Sequence, residues 1–144
     1  FSYSAEGYLT GIVENIDDTE YSSTSLTYEN GDITSISSKM NGLENKFIYE
    51  PGEESSKYHL PCLGLLEIHP LTFHIEALYA GLLGKDPRHF TIRSSPAGSN
   101  DEKTVYSYGF DKKGNPSRMI CQTTYAGGQA SYYPYTRNIS VSFE

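Results

Sequence analysis

Residues 70–84 read Pro-Leu-Thr-Phe-His-Ile-Glu-Ala-Leu-Tyr-Ala-Gly-Leu-Leu-Gly (PLTFHIEALYAGLLG), and the fold class turns on them. Leu71, Ile75, Leu78 and Leu82 fall at i, i+4, i+7 and i+11, one stripe of a 3.6-residue helix. Pro70 suits a first helical turn, where its missing N–H has no partner to lose. Gly84 suits a left-handed residue past the end, and Lys85 brings positive charge to the last carbonyls. The spacing therefore predicts a helix over 70–84. An apolar stripe must lie on something, and the segments on either side are rich in strand signals.

Before it, the chain repeats a local theme. Tyr3 to Gly7, followed by Leu9-Thr10 and Ile12, is echoed by Tyr28 to Gly31, followed by Ile33-Thr34 and Ile36. Asn30-Gly31 is a strong hairpin signal, because both central residues of a type I′ turn need positive φ. Asp17-Asp18-Thr19 and Met40-Asn41-Gly42 give the neighbouring turns. Strands are expected at 8–16, 21–28, 32–39 and 43–50, joined as a meander. Pro51 to Ser56 reads as a polar loop, and 58–69 as an irregular apolar segment broken by Pro61 and Gly64.

After the helix, His89–Arg93 is a short strand and Ser94–Lys103 the most loop-like run in the chain. Thr104–Phe110 and Ser117–Tyr125 form a hairpin about Asp111–Pro116. A last strand, Tyr135–Phe143, follows Gly127-Gly128 and sets Ile139, Val141 and Phe143 on one face. The expected fold is α+β: an antiparallel meander sheet of about seven to eight strands with one central α-helix packed on one face. It forms a single domain, 1–144, made of a hairpin block (1–57), a central helical segment (58–93) and a second hairpin block (94–144).

A chain of 144 residues buries roughly 70% of its unfolded surface on folding, so no metal or disulfide staple is required. There are thirteen Tyr and no Trp; Tyr and Thr favour half-buried strands with a wet tip. No apolar run approaches the roughly 20 residues of a helical membrane span. A start at Phe1 rather than Met fits a trimmed fragment. Residues 1–60 hold eleven acids against three bases, a net of −8, and residues 61–144 seven against eight, a net of +1. Nucleic acid rewards clustered Lys and Arg, so this balance argues against it as a partner. Cys62 and Cys121 are the only cysteines. Either they meet and staple the helix entry to a C-terminal strand, or they pack as small apolar residues.

Tyr108-Gly-Phe-Asp111-Lys-Lys-Gly114 resembles a tyrosine-aspartate (Rhs-type) repeat hairpin. The whole chain, with two Tyr-rich blocks around His59–Pro70 and Glu76–Gly84, resembles an uncharacterised domain family of secreted lipoproteins from Bacteroidetes. That resemblance implies an exported protein facing the periplasm or cell surface, attached to the membrane only through a lipid anchor upstream of Phe1. It implies no catalytic residues.

The chemistry-bearing residues are sparse in pattern. His59, His69, His74 and His89 stand near Glu67 and Glu76, but His69 and His74 are five apart, not the four that set two ligands on one helical face. No metal or other cofactor is expected. No Gly-x-Ser-x-Gly elbow occurs, and no Gly-rich loop has the context of a phosphate cradle. Asp17, Asp18, Glu20, Glu53 and Glu54 sit in turns, where acids guard sheet edges. Asn138-Ile-Ser140 matches a glycosylation sequon inside an expected strand. The remaining feature is aromatic: Tyr125, Tyr132, Tyr133 and Tyr135 crowd the last hairpin and are the candidate ligand-binding residues. The expected function is a non-catalytic cell-envelope binding or interaction module for a glycan or protein. The alternative is a hydrolase whose site assembles only in the fold, around the central histidines.

Overall fold

In a computed structural model the described residues are 1–55, 77, 80–114, 116–125 and 135–140. They build one nine-stranded sheet in which every strand pairs with its sequence neighbours. The strands are β1 (Ser2–Tyr3), β2 (Leu9–Ile16), β3 (Thr19–Glu29), β4 (Asp32–Met40) and β5 (Leu43–Ser55). They continue as β6 (His89–Pro96), β7 (Glu102–Phe110), β8 (Pro116–Tyr125) and β9 (Tyr135–Ser140). All eight pairings are antiparallel.

The first turns follow from residue type. Asp17 and Asp18 have φ of 48° and 61°, Asn30 and Gly31 53° and 86°, Asn41 and Gly42 52° and 79°. Two successive left-handed residues give a turn whose twist matches that of the flanking strands. Each loop is two residues long, which sets where the β2–β3, β3–β4 and β4–β5 pairings begin, and bulges at Glu14/Asn15 and Thr27/Tyr28 then shift the first two by one residue. Ile12 thus stands opposite Thr24, Thr24 opposite Ser38, Leu26 opposite Ile36, and Ile36 opposite Phe47.

Alternation then separates two faces. Leu9, Ile12, Leu26, Ile33, Ile36 and Tyr49 are buried and pack with Ala77 and Leu83, so residues of the 77–84 region cover this part of the sheet. A second cluster, Tyr106, Met119 and Cys121 with Tyr108 against it, lies on β7 and β8. The rings of Phe90 and Tyr108 meet at 4.6 Å between centroids, and Tyr108 Oη donates to the Thr91 carbonyl at 2.7 Å.

The α+β class expected from the sequence gives way to an antiparallel β fold. Among the described residues there is no helical element, Ala77 alone having helical geometry. Gly81 takes φ 71° and Gly84 φ 69°, so the right-handed path is broken three residues before the expected stop. The Leu82 N–H reaches back to the Ala77 carbonyl at 2.9 Å, five residues rather than four. Leu82, assigned to the buried stripe, is 38% exposed, while its neighbour Leu83 is 8% exposed. Gly84 instead makes an antiparallel bridge with Tyr8. A Cβ there would come within 2.7 Å of the Gly7 carbonyl oxygen, so the close approach of the two backbones needs glycine. Residues 70–76, 78 and 79 of the expected helix lie outside the described residues.

Two further boundaries differ from expectation. Pro51–Ser55 belongs to β5, and Ser94–Pro96 to β6. The Pro51 position is bulged, with register shifts on both sides of the Pro51–Thr91 pair, and a bulge tolerates a residue without an N–H. Gly52 leaves room for Ile92, whose Cγ2 lies 2.6 Å from where a Cβ would stand. Cys121 is buried, and Cys62 lies outside the described residues.

Ile36 is fully buried in the centre of the larger cluster. Ile36→Ala should lower unfolding free energy by about 2–5 kcal/mol through lost burial and a residual cavity. A denaturant midpoint unchanged from the parent chain would contradict the placement of this core.

Candidate functional site

The most organised polar arrangement joins the β3–β4 hairpin to the start of β6. Asp32 follows the Asn30-Gly31 turn directly and is 6% exposed. Its Oδ1 accepts the backbone N–H of His89 at 2.8 Å, and its Oδ2 lies 2.8 Å from His89 Nδ1. One residue earlier, the Arg88 N–H donates to the Gly31 carbonyl at 3.0 Å, and Arg88 Nη1 to the Asn30 carbonyl at 3.3 Å. The hairpin and the strand entry are therefore fastened by backbone and side chain together.

Gly31 suits this point in two ways, through its backbone and through the side chains that close over it. Its φ is left-handed, and a Cβ would stand 2.7 Å from Arg88 Cδ and 2.8 Å from Tyr8 Oη. Beside the turn, the Tyr8 and Tyr28 rings lie 4.9 Å apart, and Lys85 Nζ sits 4.8 Å from the Tyr8 ring centroid. Tyr3 Oη donates to the Leu82 carbonyl at 2.8 Å, tying the N-terminal strand to the same corner.

Chemically, a carboxylate that grips Nδ1 fixes the imidazole and leaves Nε2 as its remaining nitrogen. That is the orienting half of an acid–base site. An acyl-transfer enzyme also needs a nucleophile on Nε2; among the described residues, the His89 side chain hydrogen-bonds to Asp32 alone. The sequence had singled out His89 but not Asp32. The two are 57 positions apart, and no spacing rule joins them; the one local signal is an acid placed directly after a hairpin turn.

The other expected site residues are distributed as follows. Tyr125 ends β8 opposite Glu102 and is 45% exposed. Tyr135 opens β9 opposite Thr123. Tyr132 and Tyr133 lie outside the described residues, as do His59, His69, His74, Glu67 and Glu76. Asp17 and Asp18 form the β2–β3 turn itself, and Glu20 accepts from Ser23 Oγ at 2.9 Å. Both observations give these acids local structural roles. Among the described residues no cluster of three His, Cys, Asp or Glu is placed to hold a metal ion.

Comparison with known proteins bears on the fold and the family. A porin-like protein from Bacteroides uniformis ATCC 8492, known from its crystal structure, superposes with a TM-score of 0.78 at 26% sequence identity. The match covers 95% of this chain and 54% of that one, so the chain spans about half the length of this relative. No curated protein matches. The expected uncharacterised family is supported; lipoproteins and Rhs-type hairpins are named by neither match. Residues 1–118 match the family model described as a domain of unknown function (DUF4595) with porin-like fold, and the chain belongs to that family.

Proposed function

We propose that the domain is a non-catalytic interaction module of the cell envelope, exported to the periplasm or cell surface and binding a glycan or protein ligand. The porin-like fold and the Bacteroides relative support the envelope setting. A lipid anchor upstream would be its attachment to the membrane, and nucleic acid is no partner for a chain of net charge −7. The observation that carries the binding reading is Tyr125. It is a large aromatic side chain, 45% exposed at the end of β8, and Tyr132 and Tyr133 follow in the sequence before Tyr135 opens β9. A Tyr in such a place offers rigid apolar area and a hydroxyl at low entropic cost.

Screening the purified domain on a glycan array and against envelope extracts tests this reading. A captured ligand should bind Tyr125→Ala at least about tenfold more weakly, equivalent to roughly 1.4 kcal/mol. The melting temperature should hold within a few degrees. Equal affinity for the variant would remove Tyr125 from the site.

The Asp32–His89 pair favours one second reading, a hydrolase with His89 as base and Asp32 holding it. The two readings separate by mutation. As a structural fastening, Asp32→Asn should cost about 1–3 kcal/mol of stability through the weakened hold on a partly buried N–H and imidazole, and ligand binding should survive. As an acid–base pair, His89→Ala should abolish turnover of a panel of ester, amide and glycoside substrates while leaving the protein folded. No turnover by the parent chain across that panel would dispose of the hydrolase.

A further inference from the structure

A fold described as porin-like raises the question of which face of the sheet meets hydrocarbon. In a membrane-spanning barrel the outward positions form an apolar band about 25 Å tall, and the polar positions face the lumen. Length is no obstacle here. β3, β5, β7 and β8 have 11, 13, 9 and 10 residues, and roughly 9–11 tilted residues cross a bilayer.

Polarity runs the other way. The apolar side chains Leu26, Ile36, Tyr49, Tyr106, Met119 and Cys121 are on the covered face. The exposed face carries Lys39 opposite Glu44, Lys46 opposite Ser37, Glu50 opposite Arg93, and Lys103 opposite Thr124. These charges sit within the strands, on four adjacent ones, not only at the turns. Arg93 Nη1 reaches Glu50 Oε2 at 2.9 Å with both side chains about half exposed, and Ser37 Oγ donates to Glu44 Oε1 at 2.7 Å. Apolar residues on this side, such as Val13, Ile48 and Val105, are each flanked across the strands by Ser, Arg or Gln. Scattered single apolar residues are ordinary for a wetted surface.

We infer that the exposed face of this sheet is a water-facing wall, so that the domain has a porin-like fold but works outside the bilayer. The inference rests on register and charge, not on the tyrosine ligand site, and either can fail without the other.

The test refolds the chain from urea with and without vesicles of phosphatidylethanolamine and phosphatidylglycerol. Flotation and labelling of Lys46 and Lys103 by a membrane-impermeant amine reagent are then read. The protein should stay in the aqueous fraction, with both lysines labelled equally in the two samples. Co-flotation with both lysines protected would overturn the inference. Ile48→Lys gives a second readout: Ile48 is 39% exposed, opposite the buried Ser35 and the half-buried Ser95, and on a wetted wall the variant should fold in buffer and melt within a few degrees of the parent. Loss of folding by Ile48→Lys, beside a folded Ile48→Ser, would count against it.

Discussion

Register is the constraint on which the rest of this sheet depends. Side chains alternate with a period of two, so slipping one strand by a single residue would move its apolar set to the wetted face. Two-residue loops with both residues left-handed set the pairing next to each turn, and one bulge in β2–β3 and one in β3–β4 carry it on into the register that buries Thr24, Leu26 and Ile36. Asp-Asp achieves this at 17–18 without glycine; Asn and Asp tolerate the left-handed region because their short polar side chains can bond locally. Irregularity is not confined to longer connections: β2–β3 and β3–β4 each bulge once, at Glu14/Asn15 and Thr27/Tyr28, as β5–β6 does near Pro51 and β7–β8 between Gly109 and Phe110.

Correct register also lets the covered face be unusually rich in hydroxyls. Ser22, Thr24, Ser38, Ser94, Thr104 and Thr123 are all buried. A buried hydroxyl without a partner would be costly. Here Thr24 Oγ1 donates to Ser38 Oγ at 3.3 Å, Thr104 and Thr123 share a 2.8 Å bond, Ser94 and Tyr106 another of 2.8 Å, and Ser22 Oγ donates to Glu14 at 2.9 Å. Three of the four pairs join residues directly opposite in the ladder, and Tyr106 lies two residues along β7 from Thr104, the partner of Ser94. The satisfaction of one hydroxyl by its cross-strand neighbour is thus a consequence of pairing, and it penalises mispairing in turn.

This explains what could be read from the residues and what could not. The starts of β2 to β5 were legible to within two residues, because Asp-Asp and Asn-Gly turns are local chemistry, whereas β5 runs five residues past its expected end. The mistaken α+β class came from letting a 3.6-residue stripe outrank Gly81, whose left-handed backbone breaks the pattern before its expected end. Pro51-Gly52 read as loop because a bulge is defined by the partner strand, here by Ile92 filling the space above Gly52. The Asp32–His89 pairing was illegible for a related reason: it depends on β6 returning beside β5, across a long stretch of chain. Of the four tyrosines marked as a site, Tyr125 alone has a described side chain, and its exposure could be anticipated only from its place at a strand end.

The Asp32–His89 contact shows how a single geometry admits two functional readings, and why the fastening is favoured. An orienting carboxylate in an acid–base pair is useful because the imidazole must be held while a reacting group approaches. At this corner the same carboxylate also holds the His89 backbone, and Arg88 holds the backbone of the turn. Four hydrogen bonds thus connect residues 30–32 with 88–89, and three of them need no side chain of His89 at all. A site evolved for proton transfer gains nothing from the Arg88 pair, whereas a sheet whose fifth strand bulges in its pairing with the sixth gains a direct tie between β4 and β6. The hydrogen bonds are therefore distributed as a joint requires, and the imidazole is one of its parts.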